Sequence, residues 1–202
     1  MIKNIIFDLA GVILNLDIER DTKALNQVGL PDFMGCLAEP AIAEPMVAYL
    51  NGLKSEEDFC RELRPSCLSG ITDEEMLWSM DAVLADIPAS RLQMLAKLKQ
   101  EYNIYLLSNI YDKAWKHAVN EVEQNGYTLE QCFDRMFLSH EMQLAKPDPR
   151  IFHAVISETG LNPEETIYLD DTRENIEIGN SLGFKSILVP MNRLEEVEFL
   201  SR

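Results

Sequence analysis

Hydrophobicity along the chain changes period from segment to segment. Residues 4–9, 103–107, 135–138, 166–169 and 186–189 are short, nearly continuous apolar runs rich in β-branched and aromatic residues, a pattern that predicts strands. Continuous rather than alternating hydrophobicity fits strands buried on both faces, as in a parallel sheet covered by helices. Amphipathic stretches over 88–101, 112–125, 148–159 and 173–182 lie between the later runs, and Gly126, Gly160 and Gly183 follow three of them as helix stops. Strand then helix, repeated, predicts right-handed crossovers and a doubly wound α/β fold.

The first run breaks that rhythm. Residues 15–85 contain no convincing strand and are expected to form an all-helical insert, with helices over 18–28, 41–50, 56–63 and 73–84. Ser55-Glu-Glu-Asp and Thr72-Asp-Glu-Glu resemble capping boxes or simple N-caps at two of their starts. The expected organisation is therefore an α/β core of 1–14 and 86–202 with a small helical cap of 15–85 inserted after the first strand. There is no internal repeat, low-complexity tract or long linker.

Ligands of open α/β sheets bind beyond the carboxyl ends of the strands, so polar residues that end the apolar runs are the candidates for chemistry. Ile5-Ile-Phe-Asp8 ends in a carboxylate, Tyr105-Leu-Leu-Ser108 in a hydroxyl followed by Asn109, and Tyr168-Leu-Asp170-Asp171 in two adjacent carboxylates. Lys146 follows shortly after the third run. Three carboxylates gathered on one sheet edge with a hydroxyl and a lysine repel anions unless a hard cation sits among them. Magnesium is the natural occupant, because it takes oxygen ligands from one or two carboxylates together with water and substrate phosphate. A phosphoryl group would then meet metal, lysine and hydroxyl together.

Composition narrows the partners. A formal charge of −16 disfavours nucleic acid or an anionic membrane, since a phosphate surface would be repelled. Cys36, Cys60, Cys67 and Cys132 show neither a Cys-x-x-Cys pair nor zinc spacing, which fits reduced thiols in a cytoplasm. The opening Met-Ile-Lys-Asn-Ile-Ile-Phe-Asp reaches a carboxylate too early for a signal peptide, and no apolar run approaches the ~18 residues that a membrane span needs. A cytoplasmic protein acting on a small phosphorylated molecule is expected; oligomeric state is not legible.

Four motifs taken in order, Phe7-Asp-Leu-Ala-Gly-Val-Ile13, Leu106-Leu-Ser-Asn109, Ala145-Lys-Pro-Asp-Pro-Arg-Ile-Phe152 and Tyr168-Leu-Asp-Asp171, resemble the haloacid dehalogenase (HAD) superfamily across nearly the whole chain. More narrowly, Gly-Val-Ile-Leu-Asn-Leu-Asp17, Asp-Asp-Thr-Arg-Glu-Asn175 and the segment from Tyr49 to Phe59 are similar to a subfamily of small helical-capped phosphatases, one type of which hydrolyses glucose 1-phosphate. The resemblance implies a Rossmann-type core and magnesium-dependent phosphatase activity, with sugar phosphates favoured. It further implies a role for each matching residue. Asp8 would form an aspartyl-phosphate, Ser108 and Asn109 would bind phosphoryl oxygens, and Lys146 would neutralise charge shared by nucleophile and phosphoryl group. Magnesium would be held by Asp8, the backbone carbonyl of Ala10 and Asp171, with Asp170 in or near its coordination shell.

One position departs from the pattern. Phosphatases of the superfamily usually carry a second aspartate two residues after the nucleophile, which protonates the leaving oxygen and later activates water. Ala10 stands there instead, which preserves a backbone carbonyl for the metal and removes a group worth ~10²–10⁴-fold in rate. Asp17, Glu19 and Arg20 in the cap are candidate substitutes. Ala10 also admits a dehalogenase, or a phosphonoacetaldehyde-hydrolase-like enzyme that needs a cap lysine such as Lys23 or Lys54, or a weakened phosphate-binding protein. His117, His140 and His153 are expected to be structural or solvated, Trp78 and Trp115 to pack in core or cap, and Glu195, Glu196 and Glu198 to form a solvated helix face.

Overall fold

A computed structural model of the chain describes residues 1–201. Five strands, β1 (Asn4–Phe7), β2 (Asn103–Ser108), β3 (Arg135–Leu138), β4 (Thr166–Asp170) and β5 (Lys185–Leu188), form one sheet of order β3-β2-β1-β4-β5, and every pairing is parallel. The strands begin and end within two residues of the apolar runs. β1 stops short because the chain turns at Leu9, whose carbonyl accepts from the N–H groups of Val12, Ile13 and Leu14.

Alternate side chains of each strand feed opposite faces. Ile5, Phe7, Leu106, Ile167 and Leu169 enter a large core on one side, while Ile6, Leu107 and Tyr168 enter a smaller one closed by Ile151, Phe152, Val155 and Phe184 on the other. Helices on both faces therefore account for the unbroken hydrophobicity of the runs. The core helices are α6 (Ala89–Leu98), α7 (Asp112–Gln124), α10 (Pro149–Thr159) and α11 (Arg173–Ser181), with short turns α8 (Leu129–Cys132) and α9 (Ser139–Met142) beside β3. β1 pairs with β2 on one side and β4 on the other, so the strand order reverses between β1 and β4. The register sets Phe7 level with Leu106 and Leu169, so the residue after each strand interior emerges at the same edge.

Between β1 and α6 the chain makes α1 (Ile18–Gln27), α2 (Phe33–Ala38), α3 (Pro40–Leu50), α4 (Glu56–Leu63) and α5 (Asp73–Asp81) and no strand. α2 was not expected: it has only six residues, starting from the Asp32 side chain, which accepts from Gly35 N–H, and ending just before Pro40 opens α3. Ser55 is a simple N-cap, accepting from Asp58 N–H at 3.1 Å, whereas Thr72 and Glu75 make a reciprocal capping box. α5 ends three residues sooner than its pattern suggested, because residues 83–86 pair with 15–17 instead: Asn15 N–H donates to Asp86 O, Ala85 N–H to Asn15 O and Asp17 N–H to Val83 O. The chain thus leaves and re-enters the sheet layer through two adjacent, hydrogen-bonded crossings.

Two packing expectations are corrected. Trp78 is 47% exposed on the outer side of α5 rather than packed in the cap, while Trp115 does pack against the core. Glu195 is not simply a solvated acid; it receives Nε of Arg91 at 2.7 Å. Arg91 is only 2% exposed and also donates to Ile13 O, Asn15 Oδ1 and Asn192 O at 2.7–3.0 Å. One buried guanidinium therefore ties the loop after β1, the exit toward the helical insert and the C-terminal segment together.

Replacing Arg91 with methionine keeps its aliphatic bulk and leaves those three acceptors and Glu195 without a donor. A loss of roughly 2–3 kcal/mol is expected, read as a lower urea midpoint with an unchanged m-value; an unchanged midpoint would show that the guanidinium is not the clamp.

Candidate active site at the carboxyl edge of the sheet

Where the strand order reverses, the edge residues are Asp8 after β1 and Asp170 and Asp171 at the end of β4. Parallel α/β sheets open a crevice at such a point, and each of these three side chains offers a carboxylate oxygen within 4.8 Å of the others. Asp8 is buried. Its Oδ1 accepts from Leu9 N–H at 2.7 Å and lies 2.9 Å from Lys146 Nζ, so Oδ2 is the oxygen left uncommitted.

Lys146, whose side chain is 1% exposed, has all three ammonium protons placed: Asp8 Oδ1 at 2.9 Å, Asp170 Oδ2 at 2.7 Å and Leu107 O at 2.9 Å. A charge taken so completely out of water persists only if paired and bonded. Asp170 is its counterpart. At 0% exposure, Asp170 also accepts from Tyr168 Oη, Thr172 N–H and Asn175 Nδ2. Asp171 is different: among the described residues the only side chain that bonds its carboxylate is Thr172, through Oγ1 at 3.3 Å, and it stays available.

Charge in this cluster does not balance, with three carboxylates against one ammonium. Burial pushes the Asp8 carboxyl up to about 7, and Asp170 and Asp171 push the same way against the pull of Lys146. Burial also raises Asp171, with Asp170 adding to it. Asp170 is held below the ordinary carboxylate range: burial opposes its ionisation, but Lys146, Tyr168 and Asn175 together outweigh that cost. Lys146 is buried too, yet Asp170 and Asp8 keep it firmly protonated.

The residues do fit a hard cation. Asp8 and Asp171 supply uncommitted carboxylate oxygens, and the Ala10 carbonyl accepts no hydrogen bond among the described residues. Gly11 lets the loop close over them. It has φ +77°, and a Cβ there would collide with Asp171 Oδ2, so glycine answers both a backbone and a space requirement.

Ser108 and Asn109, at the end of β2, reach the same edge. Ser108 is fully buried, and among the described residues its Oγ has only a 3.5 Å contact to Asn109 O, so the hydroxyl can bond a ligand. The Asn109 amide is already used: Nδ2 donates to Lys146 O and Oδ1 accepts from Lys146 N–H, both at 2.8 Å. Asn109 thus fixes the Lys146 loop, and its own backbone N–H, which has no acceptor among the described residues, is what it can offer a ligand.

Beside Ala10, between the core edge and the helical insert, lies a cavity of about 240 Å³ walled mainly by aliphatic side chains such as Leu14, Leu25, Met46 and Met80. Asp17, Glu19 and Arg20 do not serve it. Asp17 caps α1 by accepting from Arg20 N–H, Glu19 pairs with Lys23 at the surface, and Arg20 donates to the carbonyls of Ala82 and Leu84. Lys54 pairs with Glu62, so neither lysine candidate lines the cavity. His117 and His140 bond the carbonyls of Ala85 and Ile110, and His153 is exposed.

Three groups escaped the reading of the sequence. Tyr168 and Asn175 hold Asp170; Asn175 sits within the quoted Asp-Asp-Thr-Arg-Glu-Asn motif and one turn into α11, a spacing that returns its side chain to the strand end. Asp21 lines the cavity, and its signal was present: on α1 it shares a face with Leu25 and Val28, where an apolar residue is expected.

Residues 2–183 match the model of the haloacid dehalogenase-like hydrolase family. A D-ribitol-5-phosphate phosphatase of Bacteroides thetaiotaomicron is 30% identical over 187 residues, 92% of this chain and 91% of that one. A solved HAD family enzyme of the same organism superposes with a TM-score of 0.86 at 30% identity over 100% of this chain and 98% of the other; its complex with magnesium and inorganic phosphate gives 0.83. A HAD-like family hydrolase of Porphyromonas gingivalis gives 0.85 at 30% identity, covering 100% and 97%.

Gly11→Ala and Gly126→Ala separate backbone strain from collision. Gly126 has φ +79° and open space around it, so alanine there is expected to cost only about 1 kcal/mol of backbone strain. Gly11→Ala is expected to cost clearly more in thermal melts, because Asp171 must move; equal losses would mean the close approach to Asp171 is not a constraint.

Proposed function

Because the chain belongs to the haloacid dehalogenase-like hydrolase family, we propose that it is a magnesium-dependent phosphatase of a small phosphorylated metabolite, using Asp8 as nucleophile. The convergence of Asp8, Asp170 and Asp171 around buried Lys146, with the Ala10 carbonyl free beside them, carries the reading. Sugar and polyol phosphates come first as substrates, since the D-ribitol-5-phosphate phosphatase is similar over nearly the whole chain. The four cysteines, all free, fit the reducing cytoplasm in which such metabolites occur. No helix among the described residues is long and apolar enough to cross a membrane.

Each side chain then has one task. Asp8 Oδ2 attacks phosphorus while Oδ1 stays anchored to Leu9 N–H and Lys146, which fixes the direction of attack. Lys146 neutralises charge that builds between nucleophile and phosphoryl oxygens in a water-poor site. The Ser108 hydroxyl and the Asn109 N–H orient those oxygens. Asp8, the Ala10 carbonyl and Asp171 would hold magnesium, and Asp170, saturated by Lys146, Tyr168, Thr172 and Asn175, supports Lys146 instead of the metal. Magnesium supplies the positive charge that lets an anionic ester approach an anionic nucleophile. Residues 15–85 serve as the cap over this edge. Ala10 favours a second reading, a dehalogenase on the same scaffold, and halide release from 2-haloacids would select it.

Phosphate release from a panel of sugar, polyol and short alkyl phosphates is expected to require magnesium and to fall by at least about 10³-fold in Asp8→Asn. Undiminished turnover in that variant would remove Asp8 as nucleophile. Metal affinity carries a pH signature. A cation must displace the proton that Asp8 holds up to about 7, so the apparent magnesium affinity is expected to rise about tenfold per pH unit as pH increases toward 7 and to level off above it. Calorimetric titrations between about pH 5.5 and about pH 8 would show this, and a flat profile would contradict the assigned ligand.

A further inference from the structure

The loop after β1 lacks a proton donor at Ala10, and the cavity beside it contains a carboxylate that the resting protein does not use. Asp21 is 5% exposed and faces the cavity, and among the described residues no hydrogen-bond or charged partner acts on its carboxyl, only burial. Its neighbours on the inward face of α1, Ala24, Leu25 and Val28, are buried apolar residues. Isolating a carboxylate among them costs folding free energy that no bond in the protein offsets.

The cavity joins the two facts. Ala10 and Asn109, from the core edge, and Asp21, from the first cap helix, line the same 240 Å³ space. Asp8 stands two residues before Ala10 at the same sheet edge, so an ester bound there would extend its alcohol toward the space that Ala10 and Asn109 line. Tyr111 is the other titratable side chain lining the space, but its hydroxyl is committed to Asp81 Oδ1 at 2.9 Å and to Met80 O. Asp21 alone combines access, ionisability and an unfilled bonding capacity.

We infer that Asp21 is the general acid and base of the reaction, taking over from across the cap the task that Ala10 cannot perform. The inference rests on the phosphatase reading above. As Asp8 Oδ2 bonds to phosphorus and the P–O ester bond breaks, the Asp21 carboxyl gives its proton to the departing alkoxide, releasing the free alcohol and leaving a carboxylate. That carboxylate then takes a proton from the water attacking the aspartyl-phosphate, the Asp8–phosphorus bond breaks, and phosphate leaves with Asp8 and Asp21 in their starting forms. Burial pushes the Asp21 carboxyl up to about 6, which suits a group that must both hold and release a proton near neutral pH. The cap thereby supplies catalysis as well as a cover.

The dependence of rate on the leaving group tests this. In the magnesium-loaded enzyme, Asp21→Asn is expected to lower kcat/KM for alkyl and polyol phosphates by about 10²-fold or more, and for p-nitrophenyl phosphate and acetyl phosphate by only a few-fold, because those leaving groups need no proton. Ala10→Asp added to Asp21→Asn is expected to restore alkyl ester turnover. Asp21→Asn is also expected to melt at or above the wild-type temperature, since it removes an uncompensated buried carboxylate. A uniform loss across all esters, or no loss with any, would overturn the role of Asp21 while leaving the phosphatase standing. Failure of the wild type to hydrolyse even acetyl phosphate would instead remove the phosphatase reading, and this inference with it.

Discussion

The ion pair that Lys146 makes with Asp170 and Asp8 is the constraint from which the rest of the architecture follows. An ammonium and a carboxylate withdrawn from water must be bonded on every side, and this pair is: Leu107 O completes the lysine, while Tyr168, Thr172 and Asn175 complete Asp170. Those bonds come from β2, β4 and α11 and from the loop before α10. A sheet of order β3-β2-β1-β4-β5 brings them together only at the reversal beside β1, which is also where Asp8 emerges.

Completeness on one side produces incompleteness on the other. With Lys146 and Asp170 satisfied, Asp8 Oδ2, Asp171 and the Ala10 carbonyl remain as oxygens with excess negative charge. Asp8 is consequently reluctant to ionise, an imbalance that the proposed divalent cation would relieve. Gly11 keeps this edge tight by letting the β1 loop approach Asp171 without a side chain in between. Arg91 secures the far end of that loop against Asn192 and Glu195.

Much of this is legible in the sequence. Apolar runs gave the five strands because burial on both faces, seen in Ile6 and Phe7 pointing to different cores, writes an uninterrupted signal. Polar residues ending those runs pointed to Asp8, Ser108 and Asp170-Asp171 because strand ends share one edge. Harder to read were groups whose meaning depends on tertiary neighbours. Glu195 reads in sequence as a solvated acid, and only the packing of the C-terminal segment against Arg91 shows it paired. Whether Asp170 or Asp171 faces a ligand was undecidable from adjacency, since successive strand residues alternate sides and only the position of Lys146 breaks the tie. Asp21 is the instructive miss: attention to residues near the nucleophile in sequence singled out Asp17, Glu19 and Arg20, while the periodicity of α1 marked the carboxylate that turns inward.

Most direct for the central claim is a crystal structure of the protein soaked with magnesium and beryllium fluoride, which mimics a phosphoryl group bonded to a carboxylate. The account requires trifluoroberyllate on Asp8 Oδ2, one cation between Asp8, the Ala10 carbonyl and Asp171, and Lys146 still held by Asp170. An adduct on any other residue, or a cation that passes over Asp171, would contradict it.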